Sequence, residues 1–389
     1  MKVLVTGSNG FVGRNLVETL KNIKNNKDKT RDILVEDIFL FDVNSSLDEL
    51  DTYTRECDYV VNLAGINRPK NPEEFYEGNK GFIETLCSYL KKHHNYCPII
   101  VSSSIQVGKD NDYAKSKKEG EDYLKSFSRE NGNEVYIYRF ANLFGKWCRP
   151  NYNSVTATWC HNIAHDLDIQ VNDPSIVLPL CYIDDVVNEI IECMKGNAHF
   201  NGEYYEVSPI YQVSLDYLAN TLKSFKESRI DLSIPNQDDE LNKKLYATYL
   251  SYLPEDQFSY PLKMNIDDRG SFTEFIRTQE HGQVSINISK PHITKGNHWH
   301  HTKNEKFVVV SGTGVIRFRK IDDDKVIEYH VSGDKLEVID IPTGYTHNIE
   351  NLGDTDMVTV MCPAGSARAG YLSARNTGCR RCTCRPCRR

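Results

Sequence analysis

Residues 2–13 read Lys2-Val3-Leu4-Val5-Thr6-Gly7-Ser8-Asn9-Gly10-Phe11-Val12-Gly13, a short apolar strand that runs into three glycines at G-x-x-G-x-x-G spacing. Gly7 is expected to let the chain turn, Gly10 to let backbone N–H groups approach a pyrophosphate, and Gly13 to let the next helix pack closely on the sheet. Because an apolar-periodic helix follows, the segment predicts a dinucleotide site. The residues expected to contact the dinucleotide are Gly7, Asn9, Gly10, Phe11, Val12, Gly13 and Arg14.

Length and composition narrow the class of protein. The 389 residues exceed the usual size of one hydrophobic core and predict two domains. The net charge of −7, with basic and acidic residues intermixed, argues against nucleic acid or a membrane surface as a partner. No apolar run approaches the roughly 20 residues of a membrane span, and the first residues predict a strand rather than a signal peptide. Because the cysteines of the body also show no paired spacing, we expect a cytoplasmic protein.

Two further strand ends are expected to contact the same cofactor. Asp42 ends the apolar run 38–41, where an acid commonly accepts hydrogen bonds from the adenosine ribose and favours NAD. Arg14 could pair with a 2′-phosphate and favours NADP instead, so both cofactors stay open. The next buried strand ends in a glycine turn, and the contacts expected there and in the following helix are Leu63, Ala64, Gly65 and Asn79.

A row of hydroxyl groups and a Tyr/Lys pair follow. Residues 102–104 are three serines at the end of an apolar strand, which is where parallel sheets bind ligands. Tyr113 and Lys117 are four residues apart, so a helix would bring them to one face, about 5–6 Å apart at Cβ. An ammonium group and an oxidised nicotinamide shift a nearby phenol towards phenolate, which suits the phenol to proton transfer at neutral pH.

A strand-end serine with a tyrosine and a lysine at i+4, behind this glycine turn, resembles the short-chain dehydrogenase/reductase superfamily in its extended, nucleotide-sugar-active form. The resemblance implies that Tyr113 protonates the alkoxide as hydride arrives, and that Lys117 tunes the phenol and holds the nicotinamide ribose. It also implies a serine that hydrogen-bonds the carbonyl oxygen. The family's spacing to Gly108 assigns this serine as Ser103, with Ser104 as the alternative.

The same resemblance extends to the substrate side. Residues 139–145 are similar to the family's Arg-x-x-Asn-x-x-Gly segment, whose asparagine reaches the nucleotide sugar. The resemblance therefore implies Asn142 as a substrate residue. Asn153, in the loop after Pro150, is expected to line the same pocket.

A polar stretch separates this region from a different sequence pattern. Residues 225–260 are rich in Asp, Asn and Lys and predict a linker, with domains at 1–245 and 246–361. Beyond it, short alternating strands with glycine turns are typical of a small β-barrel or jelly roll. The predicted fold class is α/β, a Rossmann-type doubly wound parallel sheet followed by an all-β barrel.

Four potential metal ligands fall within this barrel. His298 and His300 alternate along one segment, so both imidazoles would face inward, where Glu305 and His347 approach from neighbouring strands. Three imidazoles and a carboxylate suit a divalent metal; zinc is the ion we expect, and iron, nickel and copper bind such a set comparably. The spacings H-x-H-x4-E-x6-G and P-x-G-x2-H-x3-N resemble the cupin superfamily, which implies a cupin jelly roll.

The fusion of these two halves resembles the CapF-type bifunctional enzymes of capsular and O-antigen polysaccharide synthesis over residues 1–361. The resemblance implies C3 epimerisation of a UDP-4-keto-6-deoxy-N-acetylhexosamine in the cupin and NADPH- or NADH-dependent reduction of the C4 ketone in the first domain. It further implies a product on the way to UDP-N-acetyl-L-fucosamine and a homodimer. The alternative is a UDP-sugar reductase whose cupin only binds sugar or dimerises.

The chemistry of the second domain stays open in two respects. The metal could polarise the C4 oxygen as a Lewis acid or only tie strands together. The residue that moves the C3 proton could be His292, His301, Lys290 or Lys306.

The last segment, residues 362–389, departs from the family. Its two C-x-x-C pairs are separated by one residue, which is too short for the chain return that a structural zinc site requires. We therefore expect a disordered, non-native tail that leaves the barrel without its last strand.

Overall fold

The chain forms two units in a computed structural model, which describes residues 1–278, 282–300, 304–321 and 323–364. The first unit contains residues 1–223 and 237–254, and the second contains residues 224–236 and the chain from 255 onward. Throughout the described residues, each helix is too short or too polar to span a membrane.

The first unit is built on a parallel sheet with the strand order β2-β1-β3-β4-β5. Strand β2 pairs with one edge of β1, and the chain then crosses over to place β3 at the other edge of β1. The carboxyl ends of β1 and β3 therefore form the switch point where such sheets bind ligands. These strands are β1 (Lys2–Thr6), β2 (Asp37–Phe41), β3 (Tyr59–Asn62), β4 (Ile99–Ser104) and β5 (Val135–Phe140).

Helices cover both faces of this sheet. Leu16 and Leu20 of α1 and Ile190 of α7 form one apolar layer, and side chains of α2, α4 and α5, such as Leu86 and Leu124, form the other. This arrangement confirms the predicted doubly wound sheet. The helices of the chain are α1 (Phe11–Lys24), α2 (Leu47–Glu56), α3 (Glu73–Tyr76), α4 (Phe82–Lys92), α5 (Asp112–Asn131), α6 (Val155–Ala164), α7 (Ile183–Met194), α8 (Leu215–Asp231) and α9 (Glu240–Leu250), with a π-helical turn at Glu77–Gly81.

A smaller sheet follows β5 in the first unit. Its strands are β6 (Asn142–Phe144), β7 (Val177–Tyr182) and β8 (Tyr211–Ser214), in the order β6-β7-β8. Only Ala141 separates β5 from β6, so the predicted substrate residue Asn142 lies next to the carboxyl edge of the parallel sheet.

The second unit is an all-β barrel. In its described residues, one antiparallel sheet has the order β16-β13-β18-β11-β10-β9 and the other β12-β17-β14-β15. Phe307, Val309, Ile316, Ile349 and Met357 are buried in one apolar cluster, which confirms the predicted barrel. The strands are β9 (Met264–Asp267), β10 (Gly270–Thr278), β11 (Gly282–Ser289), β12 (Thr294–His298), β13 (Asn304–Ser311), β14 (Thr313–Lys320), β15 (Val326–Ser332), β16 (Ile339–Ile341), β17 (Tyr345–Asn351) and β18 (Met357–Ala364), preceded by a 3-10 turn at Glu255–Gln257.

Along the predicted linker, a segment of the second unit is followed by a segment of the first. Lys244 of α9 is held in the first unit, where its Nζ is 2.8 Å from Asp185 Oδ2. Leu232 belongs to the second unit, where its carbonyl accepts a hydrogen bond from Arg277 N at 2.7 Å. The linker region thus contains structured segments of both units. The sequence predicts a disordered tail from residue 362, but residues 362–364 continue β18 and pair with β13; residues 365–389 lie outside the described residues.

Candidate functional site

The glycine turn between β1 and α1 forms one wall of a cavity of about 750 Å³. Gly7 has φ +63°, and a Cβ there would lie 2.8 Å from the backbone nitrogen of Ala64. A Cβ on Gly13 would lie 2.1 Å from Gly7 O. Gly10 precedes α1 and no side chain caps the first N–H groups of this helix. The uncapped helix start and the absence of Cβ atoms fit a dinucleotide pyrophosphate.

Most of the predicted site residues meet at this cavity. The predicted residues that line it are Gly7, Asn9, Gly10, Phe11, Val12, Gly13, Leu63, Gly65, Ser103, Tyr113, Lys117, Asn142 and Asn153. The predicted contacts Arg14, Asp42, Ala64 and Asn79 are not part of the lining. The cavity therefore joins the glycine turn to the Tyr/Lys pair and to the predicted substrate residues.

The two residues expected to choose the cofactor are each engaged with the protein. Asp42 Oδ2 accepts a hydrogen bond from Asn9 N at 2.6 Å, which ties the end of β2 to the glycine turn. The Arg14 guanidinium lies 4.4 Å from the centre of the Trp147 ring. Asp42 therefore supports the glycine turn, and Arg14 packs on an aromatic ring.

Asn79 supports the cavity wall from behind. It lies in the π-helical turn and is 1% exposed. Its amide accepts from Ile66 N at 3.0 Å and donates to Ser116 Oγ at 3.0 Å. A Cβ on Gly65 would lie 2.8 Å from both Asn79 Oδ1 and Lys117 Nζ. Asn79 thus holds the turn after β3 against α5.

Tyr113 and Lys117 lie in the first turns of α5, as the four-residue spacing predicts. Asn111 caps this helix by accepting from Ala114 N at 2.8 Å. Burial raises the pKa of the Tyr113 phenol, and its hydrogen bond with Ser104 opposes that shift. Lys117 Nζ donates to Ser102 O at 3.2 Å, and burial lowers the pKa of this amine to about 8. Lys117 is therefore an ammonium group that titrates close to neutral pH.

The two serines predicted as alternatives differ in the contacts that their side chains make. Ser103 Oγ donates to Glu121 Oε1 at 2.5 Å and is occupied there. Ser104 contacts Tyr113 and also accepts from Gln106 N at 3.2 Å. The two neighbouring serines therefore have different partners on α5, Glu121 for Ser103 and Tyr113 for Ser104. The geometry favours Ser104, the alternative, over Ser103.

Two arginines that the sequence patterns did not single out lie beside the substrate residues. Arg68 Nε donates to Asn153 Oδ1 at 2.7 Å, and its guanidinium lies 5.3 Å from the centre of the Tyr152 ring. The Arg149 guanidinium lies 5.4 Å from the same ring and lines the cavity. Neither forms an ion pair within the described part of the chain. Uncompensated guanidinium groups at a cavity are suited to a phosphate.

The four predicted metal ligands converge in the barrel. His298 on β12 and His347 on β17 lie opposite each other in the strand register. Glu305 belongs to β13, and His300 lies two residues after the end of β12. Their ligand atoms all lie within 4.8 Å of one another. His300 Nε2 and both ring nitrogens of His347 are buried and, among the described residues, lack a hydrogen-bond partner. A divalent metal would take His300 Nε2 and one ring nitrogen of His347 as ligands, so the residues fit one.

The proposed acid/base residues of the second domain do not gather at this cluster. The three that the structure describes are exposed and paired on the surface: Lys290 with Asp356, His292 with Asp354, and Lys306 with Asp340. Their side chains are 52%, 67% and 60% exposed. A surface carboxylate partner keeps each of them out of the barrel interior. His301 lies outside the described residues.

Comparisons with known proteins agree with this geometry. The model of the NAD dependent epimerase/dehydratase family matches residues 3–208, and the polysaccharide biosynthesis C-terminal domain matches residues 265–365. The crystal structure of the capsular polysaccharide assembling protein CapF from Staphylococcus aureus superimposes with a TM-score of 0.87 at 51% identity, covering 94% of this chain and 96% of that one. The chain belongs to the CapF-like branch of this epimerase/dehydratase family.

Other relatives of this CapF-like chain define its two halves further. A curated UDP-2-acetamido-2,6-beta-L-arabino-hexul-4-ose reductase of Pseudomonas aeruginosa is 41% identical over 93% of this chain and 94% of its own length. The UDP-glucose 4-epimerase of Thermotoga maritima is 19% identical, with a TM-score of 0.52 over 65% of this chain and 98% of that one, and supports the fold alone. The predicted family and the prediction of an NAD-dependent family enzyme are confirmed.

Proposed function

We propose that this CapF-like enzyme acts twice on a UDP-4-keto-6-deoxy-N-acetylhexosamine. The cupin unit inverts C3, and the first unit reduces the C4 ketone, towards UDP-N-acetyl-L-fucosamine for capsule or O-antigen synthesis. The observation that carries the reductase half is the meeting of Tyr113, Lys117 and Ser104 at the cavity of the glycine turn. The name of the Pseudomonas aeruginosa relative supports a keto-sugar substrate with a 2-acetamido group.

In the reduction, each side chain has a separate task. NADPH or NADH, held by the glycine turn, would supply the hydride to C4. Ser104 Oγ donates a hydrogen bond to the ketone oxygen, and the Tyr113 phenol gives that oxygen its proton as negative charge develops. The Lys117 ammonium stabilises the phenolate that remains.

The substrate diphosphate is assigned to the side of the cavity that carries Arg149. Arg149 and Arg68 flank Tyr152 without a carboxylate partner in the described chain, so a diphosphate would neutralise them. Asn153, already hydrogen-bonded to Arg68, and Asn142 complete this side and place the sugar between the diphosphate and Tyr113.

In the cupin unit, the C4 ketone acidifies the C3 hydrogen, so proton removal gives an enolate that is reprotonated from the other face. His298, His300, Glu305 and His347 would hold a divalent metal, with zinc as the proposed ion. When bound, this ion would supply positive charge for the C4 oxygen or would only hold the strands together. In the alternative function, a reductase with a passive sugar-binding cupin, the metal would only hold the strands together.

A single incubation tests both halves. The protein is mixed with the keto-sugar in deuterated buffer, first without coenzyme and then with NADPH or NADH, and the products are followed by NMR. We expect deuterium at C3 before coenzyme is added, then coenzyme oxidation and a C4-reduced, C3-inverted sugar. Oxidation without inversion supports the alternative, whereas no oxidation with either coenzyme rejects the substrate. The ratio of kcat/KM for the two coenzymes gives the cofactor.

Matched variants test whether Ser104 or Ser103 is the serine that hydrogen-bonds the ketone oxygen. Ser104→Ala should lower kcat of ketone reduction by about 10²-fold, because one hydrogen bond to the developing oxyanion is lost. Ser103→Ala removes a hydroxyl of the same strand that faces Glu121, and we expect a loss of less than about tenfold. Steady-state kinetics of both variants decide between the two serines. A larger loss in Ser103→Ala would restore the first assignment.

The homodimer and the cytoplasmic location are proposed from the CapF-like resemblance. Met264 and Ile266 of β9 are 51% and 73% exposed, and β9 ends the order of its sheet, which supports a further contact there. Light scattering of the purified protein measures the dimer directly, and a monomer at every concentration contradicts it.

A further inference from the structure

A buried carboxylate lies directly behind the reductase residues. Glu121 is on α5, four residues after Lys117, and its side chain is 2% exposed. Its Oε1 accepts from Ser103 Oγ at 2.5 Å and from Arg139 Nε at 3.0 Å, and its Oε2 accepts from Arg139 Nη2 at 2.7 Å. A carboxylate removed from water requires such partners, since an unpaired one is costly to bury.

The carboxylate fixes the strand end that carries the active serine. Ser103 of β4 and Arg139 of β5 are register partners, and Glu121 binds both from α5. The Ser103 side chain is thereby held by Glu121, and the next side chain, Ser104, hydrogen-bonds with Tyr113 at the end of the strand. A buried ion pair contributes little net stability by itself, so stability alone does not explain why Glu121 and Arg139 are paired beside the site.

Charge supplies a second reason. Lys117 is buried, and burial lowers the pKa of its amine to about 8, while the carboxylate of Glu121 acts in the opposite direction. The other charged or titratable groups around this amine are Tyr113, one turn earlier on α5, and Arg139 of β5, which lies on the far side of Glu121. Among the described residues, Glu121 is the anion that favours the ammonium form of Lys117.

We propose that Glu121 is a positioning residue of the reductase site: it holds Ser103, the neighbour of the serine that contacts Tyr113, and carries its negative charge one helical turn from Lys117. This inference rests on the proposed reductase function. Without the carboxylate, the strand end loses its anchor and the buried amine loses its proton at a lower pH. Both effects weaken proton transfer from Tyr113, although Glu121 itself touches no substrate.

The charge role is tested on the substrate-free full chain. Lysine labelled with ¹³C at Cε is titrated by NMR, and the Lys117 signal is assigned with Lys117→Arg. In Glu121→Gln we expect the titration midpoint of Lys117 to fall by about half a pH unit or more. An unchanged midpoint overturns the charge role. This readout needs no keto-sugar, so it stays valid if the proposed substrate is rejected.

Kinetics test the positioning role. The alkaline limb of kcat/KM for ketone reduction should move to lower pH in Glu121→Gln by the same amount as the Lys117 midpoint. Glu203→Gln is the matched control, since Glu203 pairs with Arg139 Nη1 at 3.2 Å but is 68% exposed, and we expect both readouts to stay unchanged. A uniform loss of rate with an unmoved limb makes Glu121 merely structural and overturns the proposal.

Glu121→Asp keeps the inference falsifiable if the glutamine variant does not fold. It retains the charge but is one methylene shorter, so the Ser103 contact is lost. We expect an unchanged Lys117 midpoint and a kcat lowered to the same extent as in Ser103→Ala, by less than about tenfold. A wild-type kcat in this variant overturns the positioning role, and a midpoint shifted to lower pH overturns the charge role. Absence of coenzyme oxidation in the wild type would instead reject the proposed function.

Discussion

Tyr113→Phe is expected to slow ketone reduction by about 10³-fold while the protein stays folded, because the alkoxide at C4 loses its proton donor. Lys117 and Ser104 remain in this variant, but neither replaces a phenol at the ketone oxygen. Lys117 Nζ donates to Ser102 O, and the Ser104 hydroxyl is a far weaker acid than a phenol. The measurement is the rate of NADPH or NADH oxidation at saturating keto-sugar.

Tyr76→Phe is a matched control for this variant. It removes another phenol next to α5, whose hydroxyl donates to Asp112 Oδ1 at 3.3 Å, and it should leave the rate near wild type. Tyr113→Phe should also bind coenzyme and exchange the C3 hydrogen normally, since neither event uses the phenol. A reduction rate within tenfold of wild type would show that another group protonates the alkoxide.

The parts of the site that follow from the sequence are those set by short-range spacing. The glycines of residues 7–13 and the pair Tyr113 and Lys117 need only a local strand, turn or helix to come together. The histidines at 298 and 300 likewise reach one metal cluster from adjacent positions. Such spacings can be read from the sequence because local backbone geometry alone brings these residues together.

What depends on tertiary packing could not be obtained in this way. The choice between Ser103 and Ser104 requires knowing which hydroxyl reaches Tyr113 and which reaches Glu121, and a motif spacing does not encode these contacts. Arg68 and Arg149 reach Tyr152 from loops far apart in the chain. Lysine is a residue type that can transfer protons, which suggests Lys290 and Lys306 as acid/base residues. The structure shows instead that both form ion pairs on the surface.

The linker region shows the same dependence on long-range contacts. Its polar composition predicts a linker, whereas Lys244 forms an ion pair with Asp185 in the first unit and the carbonyl of Leu232 accepts a hydrogen bond from Arg277 in the second. Composition reports the average solvation of a segment, whereas these assignments depend on single partners that lie far away in sequence.

Removal of the metal is expected to abolish deuterium exchange at C3 and to lower the unfolding temperature of the cupin unit. Without an ion, His300 Nε2 and one buried ring nitrogen of His347 lose their ligand and lack a hydrogen-bond partner among the described residues, at a cost of about 1–3 kcal/mol each. The combined loss of about 2–6 kcal/mol in a domain of roughly 100 residues lowers Tm by about 8 °C or more. Chelation followed by metal analysis, calorimetry and NMR exchange measures all of these quantities.

Variants separate the two possible roles of the metal. His347→Asn removes a ligand that is 2% exposed and should reproduce the loss of exchange, whereas His330→Asn, an exposed histidine of β15, should behave as wild type. Because the four ligands belong to the second unit and the Tyr113 cavity to the first, reduction of a C3-inverted keto-sugar should continue in His347→Asn. If exchange is lost while Tm is retained, the metal acts at the C4 oxygen; if exchange persists in the metal-free protein, the ion takes no part in epimerisation.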